Sequence, residues 1–135
     1  MVPEYILIAE DDAAFRRLLT VELADAGFHT RTAVDGIEAL EHCERQLPQL
    51  LITDLDMPPL GGIELVAELD ARTLLTFPVI VLSGRQDLLV QALSFASHIA
   101  AKPVDFGRLL PQVRLLMSGR PPTTTATLTP PCAAA

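Results

Sequence analysis

A chain of 135 residues with 10 basic and 17 acidic side chains, net charge −7, suits one domain, and with half of its residues apolar it can bury a core. General disorder is excluded, and so is direct binding to a nucleic-acid backbone, for which no basic stripe is present. No apolar run approaches the roughly 20 residues that cross a bilayer, and Met1-Val2-Pro3-Glu4 lacks the basic segment of a signal peptide, so a soluble cytoplasmic protein is expected.

In chain order, short apolar runs alternate with segments of helical period. Tyr5 to Ala9 predicts a strand, followed by Glu10, Asp11 and Asp12 and then by Phe15, Leu18, Leu19 and Leu23, whose spacing of three and four predicts a helix. Gly27 stands where a left-handed helix stop is wanted. A weaker strand signal covers Phe28 to Thr32, and Asp35-Gly36 leads to a second helix marked by Ile37, Leu40 and Cys43. Leu50 to Thr53 predicts a third strand that ends in Asp54, with Asp56 two residues on; Gly61-Gly62 then leads to Ile63, Val66 and Leu69. Val79 to Leu82 predicts a fourth strand followed by Ser83, and Ile99 to Ala101 a fifth followed by Lys102-Pro103. Boundaries are loose at Leu74 to Pro78 and Leu88 to His98, where turn signals are sparse.

Five alternations of strand and helix imply βαβ crossovers and a parallel sheet covered on both faces, an open α/β sandwich. The domain is expected over residues 1–117. From Ser118 the chain becomes SGRPPTTTATLTPPCAAA, without strand or helix period, which predicts a disordered tail or linker over 118–135. Cys43 and Cys132 lack the spacing of a disulfide framework and read as free thiols. The final Cys132-Ala133-Ala134-Ala135 is only a loose prenylation match.

Sheets of this kind bind ligands outside the carboxyl ends of their strands. There the chain carries acids (Glu10, Asp11, Asp54, with Asp56 nearby), a hydroxyl (Ser83) and an ammonium (Lys102). Singly, Asp11, Asp12 or Asp54 serves equally well as a helix or turn cap, and Ser83 as a turn residue beside Gly84. Together, carboxylates on adjoining strand ends repel and raise one another's pKa, a conflict that a bound cation relieves. Hard oxygen donors, few in number, favour Mg²⁺, with Mn²⁺ as a substitute. A carboxylate beside such an ion is a known phosphoryl acceptor, which makes Asp54 the candidate nucleophile and sets Ser83 and Lys102 to meet the charge on the transferring group. Lys102 is the one lysine among ten basic residues, the rest being arginine, and a compact ammonium acts on phosphate as a point charge. His29, His42 and His98 are too scattered for a metal cluster.

The segments YILIAEDDAAFRRLL, LLITDLDMPPLGGIEL, PVIVLSGRQD and AAKPVDFGRLL, in that order and spacing, resemble the receiver domain of two-component response regulators over about residues 4 to 117, single-domain chemotaxis regulators included. The resemblance implies a flavodoxin-like, doubly wound sheet of five parallel strands in the order 2-1-3-4-5, with helices on both faces. By it, Asp54 is the phosphoacceptor, Asp11 and Asp54 hold Mg²⁺ directly with the Asp56 backbone carbonyl, and Glu10 acts through water. Ser83 matches the switch hydroxyl and Lys102 the phosphate-pairing lysine. It implies a switch rather than an enzyme, one that at most catalyses its own phosphorylation and dephosphorylation. The donor is a histidine kinase or histidine phosphotransfer protein, and the recipient a downstream protein target or fused domain. Neither nucleic acid nor membrane is a direct partner, and a homodimer stays open. No output domain follows in this sequence, so the signal is expected to leave through a partner surface or through whatever the tail joins.

Three positions depart from the family pattern. Ile99 stands where many receivers have Tyr or Phe, the stretch from Ser83 to Lys102 is short enough to predict a truncated or displaced fourth helix, and Pro111 falls inside the last helix. A proline there costs roughly 3 kcal/mol and predicts a kink or a late start. These departures motivate a rival reading as a docking module not regulated by phosphate. Asp54-Leu55-Asp56 also matches the D-x-D element of haloacid-dehalogenase-like phosphatases, with Asp56 as general acid, although Ser83-Gly84-Arg85 stands where such enzymes carry further acids. Arg85 and Asp56 flank the expected path of an attacking water, where they are placed to tune phosphate lifetime.

Overall fold

Ten elements alternate along the described residues: β1 (Ile6–Ala9), α1 (Ala13–Asp25), β2 (Thr30–Ala33), α2 (Gly36–Arg45), β3 (Leu50–Asp54), α3 (Gly62–Ala71), β4 (Val79–Ser83), α4 (Gln86–Ala92), β5 (His98–Ala101) and α5 (Phe106–Met117). They are seen in a computed structural model that describes residues 3–118. The expected tail beyond Ser118, with Cys132, lies outside the described residues. All strands pair in parallel in the order β2-β1-β3-β4-β5, the doubly wound flavodoxin-like topology.

Strands buried on both faces explain why the apolar runs are continuous rather than alternating. Leu7, Leu51, Val79 and Val81 face one layer, where Leu40 and Cys43 of α2, Leu65 and Leu69 of α3 and Ala92 of α4 meet them. Ile6, Ile8, Leu50, Ile52, Ile80 and Leu82 face the other, against Leu19 and Leu23 of α1 and Leu109 and Val113 of α5. The edge strand β2 is only half-buried, which is why its apolar signal is the weakest, and it lies two residues later at its start than the sequence predicts. Cys43 is a buried free thiol. None of the helices among the described residues is long and apolar enough to cross a membrane.

Helix ends follow their local chemistry. Asp12 caps α1 by accepting the Ala14 N–H (3.0 Å), Asp35 caps α2 through the Glu38 N–H (2.9 Å), and Asp105 caps α5 through the Gly107 N–H (2.9 Å). Gly27 adopts φ +95° just after α1, the left-handed stop that its position predicts. Gly62 opens α3 against the Asp54 carbonyl oxygen, so close that any Cβ there strikes it; α3 therefore starts directly behind the end of β3. The short stretch after Ser83 yields an α4 of only seven residues.

The late start expected for the last helix does not occur: α5 begins at Phe106 and continues through Pro111 to Met117. Proline removes the N–H that would reach the Gly107 carbonyl, but residues 107 and 111 are both exposed, so water can take that carbonyl while buried Leu109 and Val113 anchor the helix.

Tyr5 ties the start of the sheet to the end of α2, its hydroxyl donating to the Gln46 carbonyl at 2.5 Å and its ring lying 4.3 Å from the Arg31 guanidinium. Burial, with a smaller push from Cys43, raises the hydroxyl to about 12 from an ordinary 10.0. A group raised on folding contributes stability that is intact below its unfolded pKa and is lost as pH climbs toward the folded value. Urea denaturation from about pH 9.5 to 11.5 should therefore show a steeper loss for wild type than for Tyr5→Phe; equal slopes would remove this role for Tyr5.

Candidate functional site

Strand register assembles the site. Ala9 of β1 lies opposite Thr53 of β3, so Glu10 and Asp54, the next residues, stand side by side at adjoining strand ends. Glu10 is 1% exposed and Asp54 8%, and their carboxylate oxygens lie with one from exposed Asp11 within 4.8 Å of one another. Across the sheet, Ser83 pairs with Ala101, and the Lys102 N–H donates to the Ser83 carbonyl at 3.0 Å. From there Lys102 reaches back over the strand ends: its Nζ lies 2.7 Å from Glu10 Oε1 and 3.2 Å from Asp54 Oδ2.

The Asp54 carboxylate is fixed from both sides. Asp54 Oδ1 accepts the Leu55 N–H at 2.7 Å and the Asp56 N–H at 3.4 Å, which leaves Oδ2 to Lys102. The Thr53 hydroxyl donates to the Asp54 carbonyl at 2.8 Å. Glu10 Oε2 accepts the Asp12 N–H at 3.2 Å. Burial holds the Glu10 carboxyl above its ordinary range, opposed by the hydrogen bonds from Lys102 and the Asp12 N–H and reinforced by the charge of Asp54. Burial alone would lower Lys102, but its hydrogen bond to Glu10 and the charges of Asp54 and Glu10 outweigh that and keep it above its ordinary value, hence charged.

The predicted residues thus divide. Glu10, Asp11, Asp54 and Lys102 converge, and Ser83, 1% exposed, lies beside them with its Oγ accepting the Arg85 N–H at 3.0 Å. Asp56 meets the cluster through its backbone N–H, while its carboxylate turns outward to Arg85 at 3.5 Å. Asp12 is a helix cap. His42 sits on α2 with Nε2 3.1 Å from the Thr32 carbonyl, and His29 and His98 lie beside β2 and on β5; none joins the acidic group. Ile99 is half-buried in β5 opposite Val81.

Two contributors escaped sequence reasoning. The Phe15 ring lies 4.7 Å from Lys102 Nζ, a cation–π contact beneath the ammonium, although its spacing marked it only as core. Arg16 Nη1 donates to the Glu10 carbonyl at 2.8 Å and reaches the Asp11 carbonyl at 3.5 Å, bracing the turn between β1 and α1. Their position in the first helical turn after the acids was the available signal.

The profile of the response regulator receiver domain matches residues 6–114. The chain belongs to the response regulator receiver family. The transcriptional regulatory protein PdtaR of Mycobacterium tuberculosis is 33% identical over 119 residues, 87% of this chain and 58% of that protein. PrrA of Mycobacterium leprae is 32% identical over 124 residues, 90% of this chain and 53% of that protein. The receiver domain of the Francisella response regulator 1452 superposes with a TM-score of 0.78 at 27% identity, covering 86% of this chain and 98% of that one. The receiver spans little more than half the length of these curated relatives. Receivers of two-component systems are phosphoacceptor switches, with phosphorylation and Mg²⁺ binding as general features of the family.

Because Lys102 compensates two largely buried acids, its removal leaves them uncompensated. Lys102→Met should lose about 1 to 3 kcal/mol in urea denaturation, and adding Glu10→Gln should recover part of that loss. A double variant no more stable than Lys102→Met would show that the two side chains are not coupled.

Proposed function

We propose that Asp54 of this receiver accepts a phosphoryl group from a histidine kinase or histidine phosphotransfer protein in the cytoplasm, and that the domain passes the change to a downstream protein or fused domain. One observation carries the reading: a single ammonium, that of Lys102, touches both the buried acid Glu10 and the proposed acceptor Asp54, with Asp11 close by. In the transfer, an Asp54 carboxylate oxygen bonds to phosphorus as the donor imidazole nitrogen departs with its electron pair. The backbone N–H groups of Leu55 and Asp56 hold the carboxylate in place for that approach. Lys102 then exchanges its contact with Asp54 for a phosphoryl oxygen, and the Ser83 hydroxyl donates to another.

The donor set fits a small hard cation, since the converging atoms are all carboxylate oxygens. Asp11 and Asp54 would hold Mg²⁺ directly, the Asp56 backbone carbonyl would complete the protein ligands, and Glu10 would act through water; Mn²⁺ suits the same donors. When bound, the ion supplies positive charge to the clustered carboxylates and to the phosphoryl oxygens. The phosphatase reading is disfavoured because the Asp56 carboxylate, its required general acid, pairs with Arg85. The docking-module reading gains nothing from a site whose acids, hydroxyl and lysine stand together. A switch of this kind needs only a few kcal/mol of difference between two loop arrangements.

Incubation with acetyl phosphate and Mg²⁺ should add the mass of one phosphoryl group to the wild-type chain. Asp54→Asn, or wild type with a chelator, should stay unmodified, and Lys102→Met should react about 10²-fold more slowly. An unmodified wild type, or equal labelling of Asp54→Asn, would refute the assignment.

A further inference from the structure

Arg85 closes a ring of contacts over the mouth of the site that phosphoryl transfer to Asp54 leaves unused. Its backbone N–H holds Ser83 Oγ at 3.0 Å. Its guanidinium spans two loops: Nη2 and Nε reach Asp87, in the first turn of α4, at 2.8 and 3.4 Å, while Nη1 lies 3.5 Å from Asp56 Oδ2 in the loop after β3. The Asp56 N–H in turn meets Asp54 Oδ1 at 3.4 Å. Arg85 is therefore tied by its backbone to the switch hydroxyl and, through Asp56, to the acceptor.

The two carboxylates are unequal partners. Asp87 takes two hydrogen bonds and its carboxyl is held below the ordinary range, first by its hydrogen bond from Arg85. Asp56 makes one longer contact. Arg85, Asp56 and Asp87 are 53%, 58% and 64% exposed in their side chains, so these pairs are screened and readily exchanged. A phosphoryl group on Asp54 carries up to two negative charges and three acceptor oxygens, and a guanidinium fork matches phosphate better than it matches one distant carboxylate oxygen. α4 has only seven residues and no side-chain cap, which leaves its start lightly held, and Ile99 offers no hydroxyl or aromatic ring through which β5 could report the site's state.

We propose that Arg85 is a second cationic contact for the phosphoryl group, releasing Asp56 to reach it while keeping Asp87, and so drawing the start of α4 toward the site. This rests on Asp54 as acceptor. The exchange makes and breaks only hydrogen bonds and ion pairs, and Lys102 and Asp54 still perform the transfer.

The test uses the full chain with beryllofluoride and Mg²⁺ as phosphoryl mimic, followed by amide NMR. Wild type should form the adduct and shift amides of Gln86–Ala92 as well as those near Asp54 and Lys102. Arg85→Ala should still form it, roughly ten-fold more weakly, with the α4 shifts lost and the Lys102 shifts kept. Arg85→Lys, which keeps charge without the fork, should fall between them. Asp56→Asn, which retains the backbone carbonyl but frees the guanidinium, should tighten the adduct in wild type and not in Arg85→Ala. Adduct affinity and α4 shifts unchanged by Arg85→Ala would overturn the exchange alone, whereas failure of wild type to form any adduct would overturn the acceptor assignment with it.

Discussion

Lys102 lies between two carboxylates that the sheet forces together. Parallel pairing of β1 with β3 leaves Glu10 and Asp54 adjacent, and burial denies them the water that would screen their repulsion. Asp11 adds a third carboxylate from the exposed side. At full ionisation, three carboxylates against one ammonium leave two negative charges, the complement of a divalent cation. The site thus carries uncompensated negative charge, which a divalent cation of the kind proposed would neutralise.

Such a deficit persists only on a scaffold that overrides it. Two apolar layers clamp β1, β3 and β4 so firmly that their carboxyl ends cannot splay to relieve the charge. Gly62 brings α3 against the back of Asp54, and Arg16 braces the turn that bears Glu10 and Asp11. The side chains proposed to respond lie at the other extreme: Asp56, Arg85 and Asp87 are solvent-exposed, and α4 is the shortest helix among the described residues. Rigid strand ends hold the clustered side chains, and lightly held loops border them, the arrangement that the proposed switch would use.

The strands and the polarity of their ends were legible because a parallel sheet buried on both faces writes itself as continuous apolar runs, and because Glu10, Asp54, Ser83 and Lys102 each follow or end such a run. Strand order was not legible from periodicity, which is local; it came from resemblance, and pairing bears it out. Asp11 and Asp12 could not be told apart by residue type, since aspartate both caps helices and binds cations; resemblance pointed to Asp11, and backbone geometry separates the cap from the cluster member. Phe15 beneath Lys102 and Arg85 across to Asp56 join elements far apart in the chain, where no sequence period operates. Pro111 misled as to the start of α5 because its mid-helix penalty was weighed without the anchoring of buried Leu109 and Val113, and the carbonyl it leaves without a partner falls on the exposed face.

The electrostatic deficit is tested most directly by the affinity for Mg²⁺ without any phosphodonor, titrated at about pH 8 for wild type, Asp54→Asn and Lys102→Met. Removing a negative charge should weaken binding, and removing the competing ammonium should strengthen it, each by about five-fold or more. Mg²⁺ bound no more tightly by Lys102→Met than by wild type, or equally well by Asp54→Asn, would contradict the account.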